Sequence, residues 1–157
     1  LVRLLFPLAT VITPNIPEAE ALTGLTLDST ETVQEAARRL HEMGPAWVVV
    51  KGGHRPGPDA VDVVYDGKEF HYLRRPRLNS FRTHGTGCTF SAAITAGLAH
   101  GRPVLEALRL AKTFVTRAIQ TAPPIGRGHG PTNHLWMLHQ GGRDDGDGAG
   151  GPSPGPS

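Results

Sequence analysis

The residues best suited to chemistry are His84-Gly85-Thr86-Gly87-Cys88-Thr89, followed at once by a run of small residues that reads as a buried helix. Glycines at 85 and 87 let backbone N–H groups point into one concavity, and a helix start adds partial positive charge there. Such a structure binds an oxyanion. Cys88 falls in the first turn of that helix, where a thiol is acidified. Phe90 stands where a dinucleotide fingerprint needs its third glycine, and no lysine follows as in a Walker A loop. The same residues also fit a plainer reading, a tight turn capping a buried helix with an inert core cysteine.

Three other stretches carry polar groups where a ligand could meet them. Lys51-Gly52-Gly53-His54 closes an apolar strand. Ligands of open α/β sheets gather beyond strand C-termini, and a lysine there can reach a phosphate. Thr13-Pro14-Asn15-Ile16-Pro17-Glu18 also follows a strand. An asparagine and a glutamate three apart can hold Mg²⁺ through its waters. They can equally cap a helix and compensate its dipole. Gly126-Arg127-Gly128-His129-Gly130-Pro131 precedes Asn133 and His134, and three alternating glycines suit a chain passing closely over something. The bland alternatives are a strand-ending turn with a solvated lysine and a flexible connector.

Metal chemistry of the zinc type has little support. His129, His134 and His139 recur every five residues, which sets them about 140° apart on a helix rather than on one face. The single cysteine excludes an intrachain disulfide, and with no signal-peptide pattern it favours the cytosol.

The elements that must position these groups are legible as hydrophobic patterns. Leu8–Thr13 and Ala46–Val50 read as buried strands. Between them, Pro17 can open a short helix that Gly24 stops. Ser29–Met43 forms an amphipathic helix with Val33, Ala36, Ala37 and Leu40 on one face. Strand, helix and strand in this order predict a parallel sheet with covered faces. Asp66-Gly67 between Ala60–Tyr65 and Glu69–Leu73 is a hairpin signal. Thr89–Leu98 and Leu105–Ala122 read as helices, the second with Leu108, Ala111, Val115, Ala118 and Ile119 inward, and Leu135–Leu138 as a short last helix.

The chain of 157 residues is 38% apolar and 19% charged, enough for one domain with a core. No apolar run approaches the ~20 residues of a membrane helix. The net charge of +2 and its spread give little ground for nucleic acid. Only Arg74, Arg75, Arg77 and Arg82 cluster; the Arg74–Arg77 group reads as the solvated face of a strand, with a place near a bound phosphate as the alternative. Residues 140–157, rich in Gly and Pro, read as a disordered tail.

Taken in order, TPNIPEAEALTG, VVVKGGH, DVVYDG, THGTGCTFSAAITAGLAHG, AKTFVTRAI and GRGHGPTNH carry a family resemblance. The sequence resembles the hydroxymethylpyrimidine/phosphomethylpyrimidine kinases of thiamine biosynthesis, in the ribokinase-like superfamily, over residues 1–139. The resemblance implies a three-layer α/β/α sandwich, here incomplete at its N-terminus. It implies ATP and Mg²⁺ as cofactors and a small pyrimidine alcohol or its phosphate as substrate, without nucleic acid or membrane. Gly85, Thr86, Gly87 and Cys88 would form the anion hole, with Cys88 in the base position. Lys51 and Gly53 would meet the ATP phosphates, Lys112 would lie by the adenine, and Asn15 and Glu18 would serve Mg²⁺ through water. Homodimers are common among such relatives. Arg82 departs from the asparagine common in the family, and the tail is not a family feature. The alternatives are a pyridoxal or pyridoxine kinase, which shares the Cys-type loop, and a non-catalytic nucleotide-binding remnant.

Overall fold

A computed structural model describes residues 2–52, 58–78, 85–123 and 130–138. Gly53, His54, Arg82, His84, the glycines at 126 and 128, His129 and the tail expected from 140 onward lie outside the described residues.

Phe6 and Pro7 begin the ordered entry to the sheet. A one-turn helix α1 (Val2–Leu5) runs into a 3-10 turn (Phe6–Leu8), which buries Phe6. The strand that follows, β1 (Val11–Ile12), is shorter than the apolar run Leu8–Thr13 suggested, because the run's start is spent in this turn. Its backbone pairing is nonetheless longer. Ala46 N donates to Ala9 O at 3.1 Å, Trp47 N to Thr10 O at 2.9 Å and Lys51 N to Pro14 O at 2.8 Å.

Helix α2 (Ile16–Thr23) starts at Asn15 and stops at Gly24, whose φ of 72° supplies the left-handed turn. Helix α3 (Thr30–Glu42) is capped by Ser29, which exchanges bonds with Thr32. Its predicted face of Val33, Ala36, Ala37 and Leu40 is buried, and a large aliphatic side chain there contributes roughly 1.5–3 kcal/mol.

Strands β2 (Trp47–Val50), β3 (Asp59–Tyr65) and β4 (Phe70–Pro76) complete a sheet in the order β1-β2-β3-β4. β1 and β2 are parallel, as the strand–helix–strand pattern predicts. β3 and β4 run antiparallel as a hairpin about Asp66-Gly67, so the sheet is mixed rather than parallel throughout. The physical reason is loop length: a short turn can join only antiparallel neighbours. β4 forms an edge whose Tyr72, Arg74, Arg75 and Pro76 are exposed, a charged margin that discourages further pairing.

Side chains alternate across this sheet and feed two cores. Val48, Val50 and Val63 pack on α2 and α3, with Leu27, Val33 and Leu40. Val49, Val64 and Leu73 pack on the other side with Phe90, Ile94, Leu108 and Ala111. These last belong to α4 (Thr86–Ala99) and α5 (Val104–Gln120). The result is three layers, α2/α3, sheet and α4/α5. α4 begins three residues before the Thr89 expected from sequence, so Gly87 and Cys88 lie within it. Residues 134–138 form turns, not the short helix read from Leu135–Leu138. Among the described residues, no helix is long and apolar enough to cross a membrane.

Candidate phosphate-holding site

The site begins where β1 and β2 end. A parallel bridge joins Asn15 and Lys51, so two motifs 36 positions apart in the sequence become neighbours beyond the same sheet edge. Asn15 Oδ1 accepts from Glu18 N, and Glu18 Oε2 accepts from Asn15 N, each at 2.8 Å. This reciprocal capping box is the helix-capping alternative that the sequence left open. It engages one oxygen of the Glu18 carboxylate and leaves the lone pairs of Oε1 out of the cap.

The N-terminus of α4 supplies the second half. Gly85 takes φ 84° as N-cap, a left-handed conformation that a Cβ would strain. Thr89 N is the first donor of the helical ladder, reaching Gly85 O at 2.9 Å. The N–H groups of Thr86, Gly87 and Cys88 therefore fall before the ladder begins, and no side chain caps them. Cys88 is exposed and carries a free thiol.

Lys51 ties the two halves together. A Cβ built on Gly87 would lie 3.3 Å from Lys51 Nζ, so the ammonium rests against the first turn of α4. A cation and three unladdered N–H groups converge, an arrangement suited to an oxyanion. Thr13 Oγ1 and Ser91 Oγ, 3.1 Å apart, bond the end of β1 to the same helix.

A second charged group lies next to Lys51. Asp62, on β3, is 3% exposed. Its Oδ1 accepts from Gly52 N at 3.1 Å, and its Oδ2 meets Lys112 Nζ at 2.7 Å. Lys112, on α5, is thus held by an ion pair whose side chains are 12% and 5% exposed. Gly52 is required at this point: a Cβ there would sit 1.9 Å from Val61 O. Sequence reasoning missed Asp62. The available signal was an acid between Val61 and Val63 within β3, at a position alternating with Val64 and so facing the core.

Of the residues singled out from sequence, Asn15, Lys51, Gly85, Thr86, Gly87 and Cys88 gather at the strand ends and the start of α4. Glu18 joins them through Asn15, and Lys112 through Asp62 and Gly52. Arg74, Arg75 and Arg77 do not join them. Arg74 lies over the Tyr72 ring, Arg75 bonds Thr113 Oγ1 at 2.9 Å, and Arg77 donates to Asp59 O at 3.3 Å.

Layering and site together define an α/β/α sandwich of the ribokinase-like type. Among solved structures, a pyridoxal kinase of Bacillus subtilis in complex with ADP superposes with a TM-score of 0.83 at 44% identity, covering 88% of this chain and 54% of that one. A phosphomethylpyrimidine kinase of Clostridium difficile gives a TM-score of 0.62 at 37% identity, covering 75% and 46%. The sequence model of the phosphomethylpyrimidine kinase family matches residues 1–133, and the chain belongs to that family. Its curated relatives include the thiamine biosynthesis bifunctional protein ThiED of Geobacter sulfurreducens, 54% identical over 83% of this chain and 27% of that protein. The hydroxymethylpyrimidine/phosphomethylpyrimidine kinase of Bacillus subtilis is 46% identical over 85% of this chain and 49% of its own length. The chain spans about half the length of the monofunctional kinases it matches.

Proposed function

We propose that this chain supplies the nucleotide-phosphate-holding part of an ATP-dependent kinase for hydroxymethylpyrimidine and its monophosphate. One observation carries the reading: the Lys51 ammonium rests against Gly87 at the uncapped start of α4. Phosphoryl transfer asks mainly for positioning and charge neutralisation. The N–H groups of Thr86, Gly87 and Cys88 would hold the transferring phosphoryl oxygens. Lys51 would balance charge on the bridging side, and Cys88 would take the proton of the attacking hydroxyl. Lys112, oriented by Asp62, and Gly53 would serve the nucleotide. A groove of about 410 Å³ between β1 and α4, lined by Thr10, Val11, Ile94 and Leu98, suits further elements of the same domain.

The donor set also fits a hydrated Mg²⁺. Among the described residues no cluster of three or more His, Cys, Asp or Glu could cage a metal. Mg²⁺ keeps several waters and binds through one or two carboxylates plus phosphates, so a lone Glu18 beside Asn15 is sufficient. When bound, the ion neutralises phosphate charge. Asn15 and Glu18 would hold it through water, and their capping box fixes where those oxygens sit.

The likeness to a pyridoxal kinase favours a second reading, in which pyridoxal is the acceptor. The experiment joins this chain in turn to the N-terminal half of the Bacillus subtilis hydroxymethylpyrimidine/phosphomethylpyrimidine kinase and to that of the Bacillus subtilis pyridoxal kinase, and assays ATP consumption of each chimaera with its own alcohol. Transfer to hydroxymethylpyrimidine supports the proposal. Transfer to pyridoxal alone selects the second reading, and transfer to neither, from a folded chimaera, overturns both.

A further inference from the structure

Residues 130–138 run from the end of α5 to the start of α4. Asn133 fastens one end: its N–H donates to Ala118 O at 2.9 Å, and its Nδ2 to Thr121 O at 3.3 Å. Both carbonyls lie at the end of α5, where helical partners run out. The next residue reaches the other helix. His134 Nε2 lies 2.8 Å from Thr89 Oγ1 and 3.4 Å from Thr132 Oγ1. Thr89 is 7% exposed and Thr132 4%, so these hydroxyls have little access to water.

The direction of the bonds follows from counting hydrogens. Thr89 Oγ1 lies 2.8 Å from Gly85 O, which can only accept. A hydroxyl has one hydrogen. It goes to Gly85 O, so His134 Nε2 must donate to Thr89 Oγ1. The chain of bonds is His134 Nε2–H to Thr89 Oγ1–H to Gly85 O. Each member polarises the next.

Gly85 O is not a passive terminus. It shares a rigid peptide plane with the N–H of Thr86. Gly85 has the freedom of a glycine at φ 84°, so that plane needs an external hold. Thr89 N and Thr89 Oγ1 both grip the carbonyl, at 2.9 and 2.8 Å. Whatever orients the hydroxyl therefore aims the first N–H of the nest.

We propose that His134 is a positioning residue for the phosphate site, acting through Thr89 and Gly85 on the Thr86 N–H. The inference rests on the reading of residues 85–88 as that site. It adds a role for the strap that follows α5. His134 touches no phosphate. It fixes the direction of a donor that does.

The test uses AMP-PCP, a non-hydrolysable ATP analogue that keeps the γ-phosphoryl group, as probe and nitrogen NMR as readout. In the unmodified chain, at a pH where the ring is neutral, His134 is the Nε2–H tautomer. AMP-PCP shifts the amide signals of Thr86, Gly87 and Cys88. His134→Ala and Thr89→Val each weaken AMP-PCP binding about three- to tenfold, the range of one hydrogen bond. The double variant is no weaker than the worse single one, and His134→Gln, which keeps a donor, recovers most of the loss. A merely structural strap would lower the melting temperature alike in His134→Gln and His134→Ala and leave AMP-PCP affinity of the folded protein unchanged; that result overturns the proposal. So does an Nδ1–H tautomer, which needs no variant. Absence of any AMP-PCP shift at residues 86–88 in the unmodified chain overturns the site reading itself, and the inference with it.

Discussion

Lys112 Nζ lies 2.7 Å from Asp62 Oδ2, and the other oxygen of the same carboxylate holds the Gly52 N–H at 3.1 Å. One buried acid thus connects a lysine on α5 to the backbone immediately after Lys51. Its loss would leave a buried ammonium without a partner, the costly half of a broken ion pair. Asp62→Ala is expected to destabilise the protein by about 3–5 kcal/mol. Asp62→Leu combined with Lys112→Met should restore most of that stability while nucleotide binding stays impaired. Urea unfolding with circular dichroism checks the first expectation and nucleotide titration the second. A single variant within about 0.5 kcal/mol of the parent would show the pair to be a surface contact.

Gly52 marks the closest backbone approach in this region. A methyl group there would overlap Val61 O, a backbone atom that cannot rotate away. Gly52→Ala should cost at least the 1–3 kcal/mol typical of overpacking, about that much or more, and should loosen the Asp62 bond to the Gly52 N–H. Amide hydrogen exchange at residue 52 reports the loosening directly. Unchanged protection there would count against the contact.

Asp66 gives the fold a pH dependence of definite sign. It lies in the hairpin turn, and its Oδ1 accepts from Glu69 N and Lys68 N at 2.7 Å each. Its Oδ2 faces His71 Nε2 at 3.2 Å. The bond from the Glu69 N–H is the largest cause, and with the Lys68 N–H and His71 it outweighs desolvation. The carboxyl is lowered from 3.8 to about 2. A depressed folded value contributes stability above the unfolded value, lost as pH falls through the folded one. The contribution is therefore full above about pH 4 and fades towards pH 2. Allowing for solvent screening of a turn residue, it is about 1–2 kcal/mol. Asp66→Asn keeps the acceptor oxygen but not the charge. The stability difference between parent and variant should shrink across that window in denaturant titrations. A constant difference from pH 6 to pH 2 would remove Asp66 from the account.

The sequence showed most of the fold because most of it is local. Val48, Val49 and Val50 announce a strand buried on both faces. Ser29, the Val33–Leu40 face and the Gly44-Pro45 stop bound α3 with little ambiguity. Asp66-Gly67 gave the hairpin. β1 is shorter than its apolar run because Phe6 and Pro7 turn the chain before the ladder starts, and apolar content does not distinguish a 3-10 turn from a strand. α4 starts three residues before the apolar run that marks it, since a glycine at 87 costs little in a first turn. At the site, Asn15, Lys51 and residues 85–88 were visible as punctuation after strands. Asp62 was legible only as an acid on the core-facing side of β3; its pairing with Lys112, 50 positions away, was not. The contact of His134 with Thr89 was hidden for the same reason, across 45 positions.

Cys88 offers the sharpest test of the proposed chemistry. It is the third residue of α4, after Gly85 as N-cap, and its thiol is exposed. If residues 85–88 hold the transferring phosphoryl group, that side chain stands beside the hydroxyl that attacks it. A general base typically contributes about 10²–10⁴-fold in rate. In the chimaeric kinase, Cys88→Ala should lower kcat by roughly that factor. ATP affinity should change little, because the backbone N–H groups survive the substitution. Cys88→Asp, which restores a proton acceptor, should retain more activity than Cys88→Ala. Bound nucleotide should slow alkylation of the thiol by covering it. A cysteine that only fills space predicts the reverse pattern: a small loss of stability, an unchanged rate per folded molecule and no advantage for aspartate. Steady-state kinetics on folded, quantified enzyme separate the two. A change in kcat below about threefold, well short of the usual contribution of a base, would pass that role to another group.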